Sequence, residues 1–271
     1  MIDAHVHVVC RDEIRFPLGP TGAGSDWWRT TGDADSLLTE LDGSGVDHAV
    51  VVQAIGAYGY DCACAATTVT DADGRFSFVG AVDMDGADPA AALVDLAAST
   101  PLVGVRAFGV GASGTAWLED GRGDELWETA GDLATVVVPT IFTDRLPYLR
   151  GLVERHPHVT VALDHCAFPD MAPEERGNDL LALAELPALH LKVTSHNLDG
   201  PADPAAFVEP LAGAFGADRL MWGSDHPQHQ TLTYPQMVAL AQRACRNLAP
   251  ADQDAFLDAT SRRLWFPGGE R

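Results

Sequence analysis

The chain has 271 residues, 46% of them hydrophobic and 7% aromatic, which is ample for one large core without a disulfide framework. Its 39 acidic residues against 17 basic ones give a net charge of −22, a surface that repels phosphate backbones and argues against nucleic-acid binding. No apolar run is long enough to span a bilayer, and no basic stretch leads into an apolar one ahead of the first strand, so a cytoplasmic protein is expected. The five cysteines, an odd number with no CxxC pair, suggest a reducing compartment, with Cys62 and Cys64 as small packing residues near a helix start.

Short apolar, β-branched runs alternate with amphipathic stretches along the whole chain. The strand-like runs are IDAHVHV (2–8), DHAVVVQ (47–53), FSFVGAV (76–82) and LVGVRAF (102–108), then ATVVVPT (134–140), VTVALDH (159–165), LHLKVTS (189–195) and RLMWGSD (219–225). Between them, stretches such as DADSLLTELDGSG, DPAAALVDLAAS, LPYLRGLVERH and YPQMVALAQRACRN repeat hydrophobic residues at i, i+3, i+4 and i+7. Eight strands buried on both faces and each followed by a helix predict an α/β fold, a TIM (β/α)8 barrel in a single domain over 1–271. ADQDAFLDATSRRLW adds an extra C-terminal helix. An open doubly wound sheet would usually carry a glycine-rich phosphate loop after its first strand, and none follows IDAHVHV.

In a barrel, site residues come from the C-terminal ends of strands and the loops beyond them. Strand one brings Asp3, His5 and His7, which by simple alternation share a face. Strand four offers Arg106, strand six Asp164 and His165, strand seven Lys192, Ser195 and His196, and strand eight Ser224, Asp225 and His226. Each has a duller explanation. An HxH pair can be two core histidines, Asp164 or Asp225 can cap a helix, and Arg106 with Lys192 can form a buried ion pair. Coincidence of the whole set at one end of the barrel is far harder to explain. His48, His156, His158 and His190 fall at strand starts or helix ends and take no role. Cys166 follows His165 directly and should face the other way. The segment 9–33, with Arg11, Arg15, Phe16, Trp27, Trp28 and Arg29, and the stretch GVGASGTAWLEDGRG, with Trp117, are candidate lids or loops packed on the rim. Tyr60, His226 and His229 are candidates for the pocket wall.

These motifs resemble the amidohydrolase superfamily, in the branch called amidohydrolase family 2, which holds 2-pyrone-4,6-dicarboxylate hydrolase, sugar-acid and muconolactone lactonases, and a group of decarboxylases. The resemblance covers nearly the whole chain, through IDAHVHV, GVDHAVVVQ leading to YGYD, RFSFVGAVD, LVGVRAF, LVERHPHVTVALDH, LHLKVTS, FGADRLMWGSDHP and ATSRRLW, of which the first and the RLMWGSDHP motif are the specific ones. In metal-dependent relatives the HxH pair, a histidine ending strand five and the strand-eight aspartate hold a divalent ion. Strand five here ends in Pro139 and Thr140, so that histidine is missing.

The resemblance therefore implies a hydrolase of a lactone or similar cyclic ester that requires no cofactor, with one Zn2+ on His5, His7 and Asp225 as the alternative. Manganese or calcium would want more oxygen donors than this set offers. In the expected mechanism Asp225, its pKa raised by burial, activates water, while His5, His7 and His165 polarise the carbonyl. Arg106 and Lys192, with Ser195, His226, Trp28 and Tyr60 around them, would bind an anionic, carboxylate-bearing small molecule. A zinc-dependent nonoxidative decarboxylase is the competing activity, and a barrel that binds without turnover is the competing class. A homo-oligomer is compatible with the sequence, which does not decide it.

Overall fold

A computed structural model of the protein describes residues 1–21, 27–30, 32–110, 114–169 and 177–268. Eight parallel strands run in the order β1 to β8: β1 (Ile2–Val6), β2 (His48–Val52), β3 (Phe76–Val82), β4 (Leu102–Phe108), β5 (Val136–Thr140), β6 (Val161–Leu163), β7 (Leu189–Thr194) and β8 (Leu220–Gly223). A helix follows each: α1 (Ala34–Ser44), α2 (Ala63–Asp71), α3 (Pro89–Ser99), α4 (Arg122–Asp132), α5 (Leu146–Arg155), α6 (Gly177–Ala182), α7 (Ala205–Phe215) and α8 (Tyr234–Ala244). The expected barrel is thus present. Helix starts are set by local chemistry: Asp33 accepts from Ser36 N at 3.0 Å to cap α1, and Asp88 accepts from Ala91 N at 2.9 Å ahead of Pro89 in α3.

The sheet closes through the end of β1 and the residues just beyond β1 and β8. Asp225 N donates to His5 O at 2.9 Å, and His7 N donates to His226 O at 2.7 Å. The HxH segment and the GSDH segment are therefore hydrogen-bonded neighbours, and the barrel seam is also where the candidate site lies.

Inside, Ala4, Val50, Val52, Val79, Val136, Val138, Ala162 and Met221 pack with Trp265 of the C-terminal helix α9 (Thr260–Trp265). Trp265 is fully buried, its Nε1 donates to Met221 Sδ at 3.2 Å, and its carbonyl accepts from Ser77 Oγ at 2.5 Å. The added helix thus closes the N-terminal end of the barrel with an indole and leaves the opposite end to chemistry.

The cysteine expectation needs correcting. Cys10, just past β1, is bridged to Cys64 of α2 across 54 residues, so Cys64 is more than a packing residue. Cys62, Cys166 and Cys245 are unbridged and buried, and Cys166 Sγ turns to Lys192 O at 3.6 Å, away from the site as expected. Among the described residues, no helix is long and apolar enough to cross a membrane. The 111–113 part of the glycine-rich candidate lid and the side chain of Arg29 lie outside the described residues.

Removing the indole plug leaves a cavity facing the apolar interior. Trp265→Ala should lower unfolding free energy by about 3–5 kcal/mol, read as a fall in the urea midpoint at unchanged slope.

Candidate active site

The first strand breaks the alternation that the sequence suggested. Pairing between β1 and β2 slips between Asp3 and Val6. Ala4 faces the barrel interior, and the next residue, His5, also turns inward. Asp3 does not share that face. Its Oδ1 accepts from His5 N at 3.1 Å and Ser224 N at 2.8 Å, and its Oδ2 accepts from Tyr234 OH on α8 at 3.0 Å. Burial pushes its carboxyl up to about 6. Asp3 is a brace tying β1, β8 and α8 together. Gly223 makes the inward turn sterically possible, since a Cβ there would lie 2.6 Å from the Cβ of His5.

Two other site residues sit on unusual backbone. Asp225 has φ 58°, and the run His165 to Phe168 has φ 53°, 52°, 61° and 54°, a left-handed segment with no glycine. Such a conformation costs energy in each non-glycine residue and persists because packing enforces it. Here it swings His165 off the end of β6 into the mouth, where its ring lies 4.8 Å from that of His5 and stacks on Phe168 at 4.6 Å.

Asp164 occupies the floor of the mouth. Fully buried, it meets Arg106 Nε at 2.9 Å, Thr140 Oγ1 at 2.7 Å, Lys192 Nζ at 3.3 Å and His5 Nδ1 at 3.2 Å. Burial opposes its ionisation, yet Lys192, His5 and Arg106 together hold its carboxyl well below the usual carboxylate range. This placement changes the roles expected of the two cations. Lys192 is 0% exposed, with Nζ 5.0 Å from the Trp265 ring and 3.3 Å from Asp164 Oδ1. Burial lowers its pKa and Asp164 partly restores it. Arg106 is 5% exposed and also bonds Thr140 Oγ1 at 2.8 Å and Gln53 O at 3.5 Å. The buried-ion-pair explanation describes both.

Four imidazoles surround Asp225. His7 Nε2 lies 3.2 Å and His5 Nε2 3.6 Å from its Oδ1, and His196 Nε2 lies 3.1 Å from its Oδ2. The pKa of Asp225 goes the opposite way from expectation. Burial pushes it up, but His165, His196, His7 and His5 hold the carboxyl well below its ordinary range, so it is ionised at neutral pH. His165, its own pKa brought down to about 4 by burial, is neutral there.

The remaining ring nitrogens fix the tautomers. His7 Nδ1 is 2.8 Å from Val52 O, an oxygen that can only accept, so its proton sits on Nδ1. His5, held neutral by burial, has its Nδ1 on the Asp164 carboxylate. Both rings therefore turn Nε2, the nitrogen left over from these contacts, toward the Asp225 carboxylate. Neither Asp225 oxygen and neither ring nitrogen of His5 has an aligned hydrogen-bond partner, although all are buried. Three lone-pair donors within 4.8 Å of one another, each histidine anchored through its other nitrogen, form a set that fits a divalent cation. His5, Asp164 and His165 also converge, but Asp164 already answers two cations.

At the rim, Ser195 is fully buried with no hydrogen-bond partner on its Oγ. His226 edges onto Tyr234 at 5.4 Å, and Tyr60 packs with Phe108 beside Arg106. Trp27, not Trp28, lies against His7, with ring centroids 5.2 Å apart, and Trp28 sits behind it at 5.9 Å. Sequence reading passed over Thr140 and Thr194. Thr140 was a polar residue at the end of an apolar strand, and Thr194 Oγ1 sits 2.8 Å from His165 Nδ1.

Comparison with known proteins agrees with this architecture. The amidohydrolase family (Amidohydro_2) matches residues 2–266. An L-fucono-1,5-lactonase of Burkholderia ambifaria is 29% identical over 290 residues, covering 98% of this chain and 92% of that protein. A Pseudomonas putida protein assigned as a 2-pyrone-4,6-dicarboxylic acid hydrolase superposes with a TM-score of 0.80 at 22% identity, over 99% of this chain and 98% of that one. An amidohydrolase of Burkholderia multivorans with bound Zn gives 0.78 at 22% identity, over 97% and 98%. With its barrel, its strand-end histidines and its β8 aspartate all in place, this chain belongs to the amidohydrolase family of hydrolases.

Proposed function

We propose that this chain hydrolyses the ring ester of an uncharged sugar-acid lactone. The observation that carries the reading is the buried Asp225 carboxylate, with His5 Nε2 and His7 Nε2 converging on its Oδ1 at the open end of the barrel. The lactonase relative, matched over nearly its whole length, supports the substrate class.

In this reading Asp225 takes a proton from a water molecule as its oxygen attacks the lactone carbonyl carbon. The carboxylate is a weak base, so its contribution is one of placement: it is ionised, dry and fixed against two imidazoles before substrate arrives. His165 has Nδ1 on Thr194 Oγ1, and that hydroxyl donates onward to Asn197 Oδ1 at 3.3 Å. Its Nε2 is then an acceptor, suited to orienting the attacking water. As the tetrahedral intermediate collapses the ring C–O bond breaks, and the departing alkoxide regains the proton held by Asp225, giving a hydroxy acid.

The expected carbonyl polarisation by His5 and His7 needs Nε2–H donors, and on His7 the contact of Nδ1 with Val52 O favours the proton on Nδ1. A bound cation would supply the same polarisation. His5, His7 and Asp225 would hold one ion of the zinc class, which when bound supplies Lewis acidity toward the carbonyl. Thr140, where a strand-five histidine would stand, donates to Asp164 and supplies no imidazole to the set.

The carboxylate-bearing substrate implied by Arg106 and Lys192 loses its anchors, because both cations already face Asp164. The lactonase relative favours a sugar lactone over a substrate acid.

Three outcomes follow. Asp225→Asn should cut lactone hydrolysis, followed by pH drop, by about a thousandfold with an unchanged circular dichroism spectrum; retention of most activity removes Asp225 as the base. Elemental analysis should find one zinc per chain after dialysis against the metal, with His7→Ala weakening its binding by roughly 10–100-fold; activity that survives complete chelation would return the mechanism to the imidazoles alone. Uncharged aldonolactones should exceed carboxylate-bearing lactones in kcat/KM by about tenfold or more, and a reversed order would restore Arg106 as an anchor.

A further inference from the structure

Behind His196 lies a tier of polar groups that the lactone reading does not use. The His229 ring lies 4.6 Å from the His196 ring, tilted by 36°. Both of its nitrogens have neighbours: Nε2 is 3.5 Å from Asp199 Oδ2, and Nδ1 is 3.3 Å from Thr231 Oγ1. The Thr231 hydroxyl donates to that same Asp199 oxygen at 3.2 Å. Asp199 ends the short helix Ser195–Asp199 that begins beside His196, while His229 and Thr231 belong to the loop after β8. His229 N also donates to Asp225 O at 3.1 Å, so the loop is pinned to the base at its backbone.

His196 itself is different. Its side chain is 40% exposed and carries the 3.1 Å contact from Nε2 to Asp225 Oδ2. An imidazole open to solvent has torsional freedom, and ordering it costs entropy unless a neighbour limits it. The nearly enclosed His229 ring supplies a fixed face for that purpose.

We infer that His229 and Asp199 are positioning residues for the hydrolytic site. They hold the His196 ring so that its Nε2 engages Oδ2 of Asp225, which leaves Oδ1 turned to His5 and His7. Neither residue touches the Asp225 carboxylate; both act through His196. The inference rests on the lactone-hydrolase reading only for its kinetic readout.

The test compares His229→Ala, His229→Phe and Asp199→Asn in lactone hydrolysis, with unfolding temperatures measured alongside. His229→Ala should lower kcat about tenfold and leave KM within about twofold, because the ring is too enclosed to meet substrate. His229→Phe keeps a flat face and should return kcat to within about threefold of the parent, and Asp199→Asn should fall between the two. Histidine-selective NMR should show the imidazole nitrogens of His196 altered by the alanine and little changed by the phenylalanine. Unchanged kcat in His229→Ala overturns the inference, as does a phenylalanine variant as slow as the alanine one. A parent protein inert on every lactone would overturn the substrate reading instead, and the NMR comparison would still decide the positioning role.

Discussion

The site depends on one buried carboxylate. Asp164 lies where four strands deliver polar groups: Arg106 from β4, Thr140 from β5, Lys192 from β7 and His5 from β1. Each charge taken from water costs several kcal/mol, and the arrangement is tolerable because two cations and one anion share a floor with a hydroxyl and an imidazole donor. Its geometric consequence is larger than its energetic one. With His5 Nδ1 committed to Asp164, the other nitrogen of that ring must face Asp225. The ion cluster beneath the mouth thereby sets which atom the mouth presents.

Much of the fold was legible in the sequence because parallel strands buried on both faces leave near-continuous apolar runs. All eight runs contain an observed strand; FSFVGAV and LVGVRAF match to the residue, while VTVALDH is strand only over Val161–Leu163. The rest of VTVALDH was hidden because Asp164 and His165 leave the sheet in a left-handed turn that no periodicity signals. The site residues were recoverable as a group from their place at strand ends. Their individual roles were not. Lys192 looked like a free anchor because sequence shows a cation in a strand without showing the carboxylate facing it. Asp3 was grouped with His5 because alternation assumes an unbroken register, and the slip at β1 reverses it. The Cys10–Cys64 bridge joins residues 54 apart, a closeness created by the barrel and invisible to local spacing.

Charge shows the same separation between composition and site. The chain carries a net charge of −22, whereas the floor of the barrel pairs Arg106 and Lys192 with Asp164, and the ionised Asp225 lies close enough to act on Lys192. With His5 and His165 held neutral by burial, the protein's own charges there are nearly balanced. An anion approaching this barrel meets a repulsive exterior, and the two cations of the floor, Arg106 and Lys192, already face Asp164.

Barrel closure and site assembly are one event in this chain. Of the four residues whose backbones make the two hydrogen bonds that join β1 to β8, Asp225 N to His5 O and His7 N to His226 O, three also bring their side chains to the Asp225 cluster. Asp3 reinforces the same seam by accepting from Ser224 N and Tyr234 OH. A seam built this way cannot open without separating the histidines from the carboxylate, so the placement of the reactive groups inherits the rigidity of the sheet. His165 and His196 lie outside this arrangement, in the segments that follow β6 and β7. His165 is held by Thr194 and the Phe168 ring, whereas His196 is the solvent-open member and has the enclosed His229 ring against it.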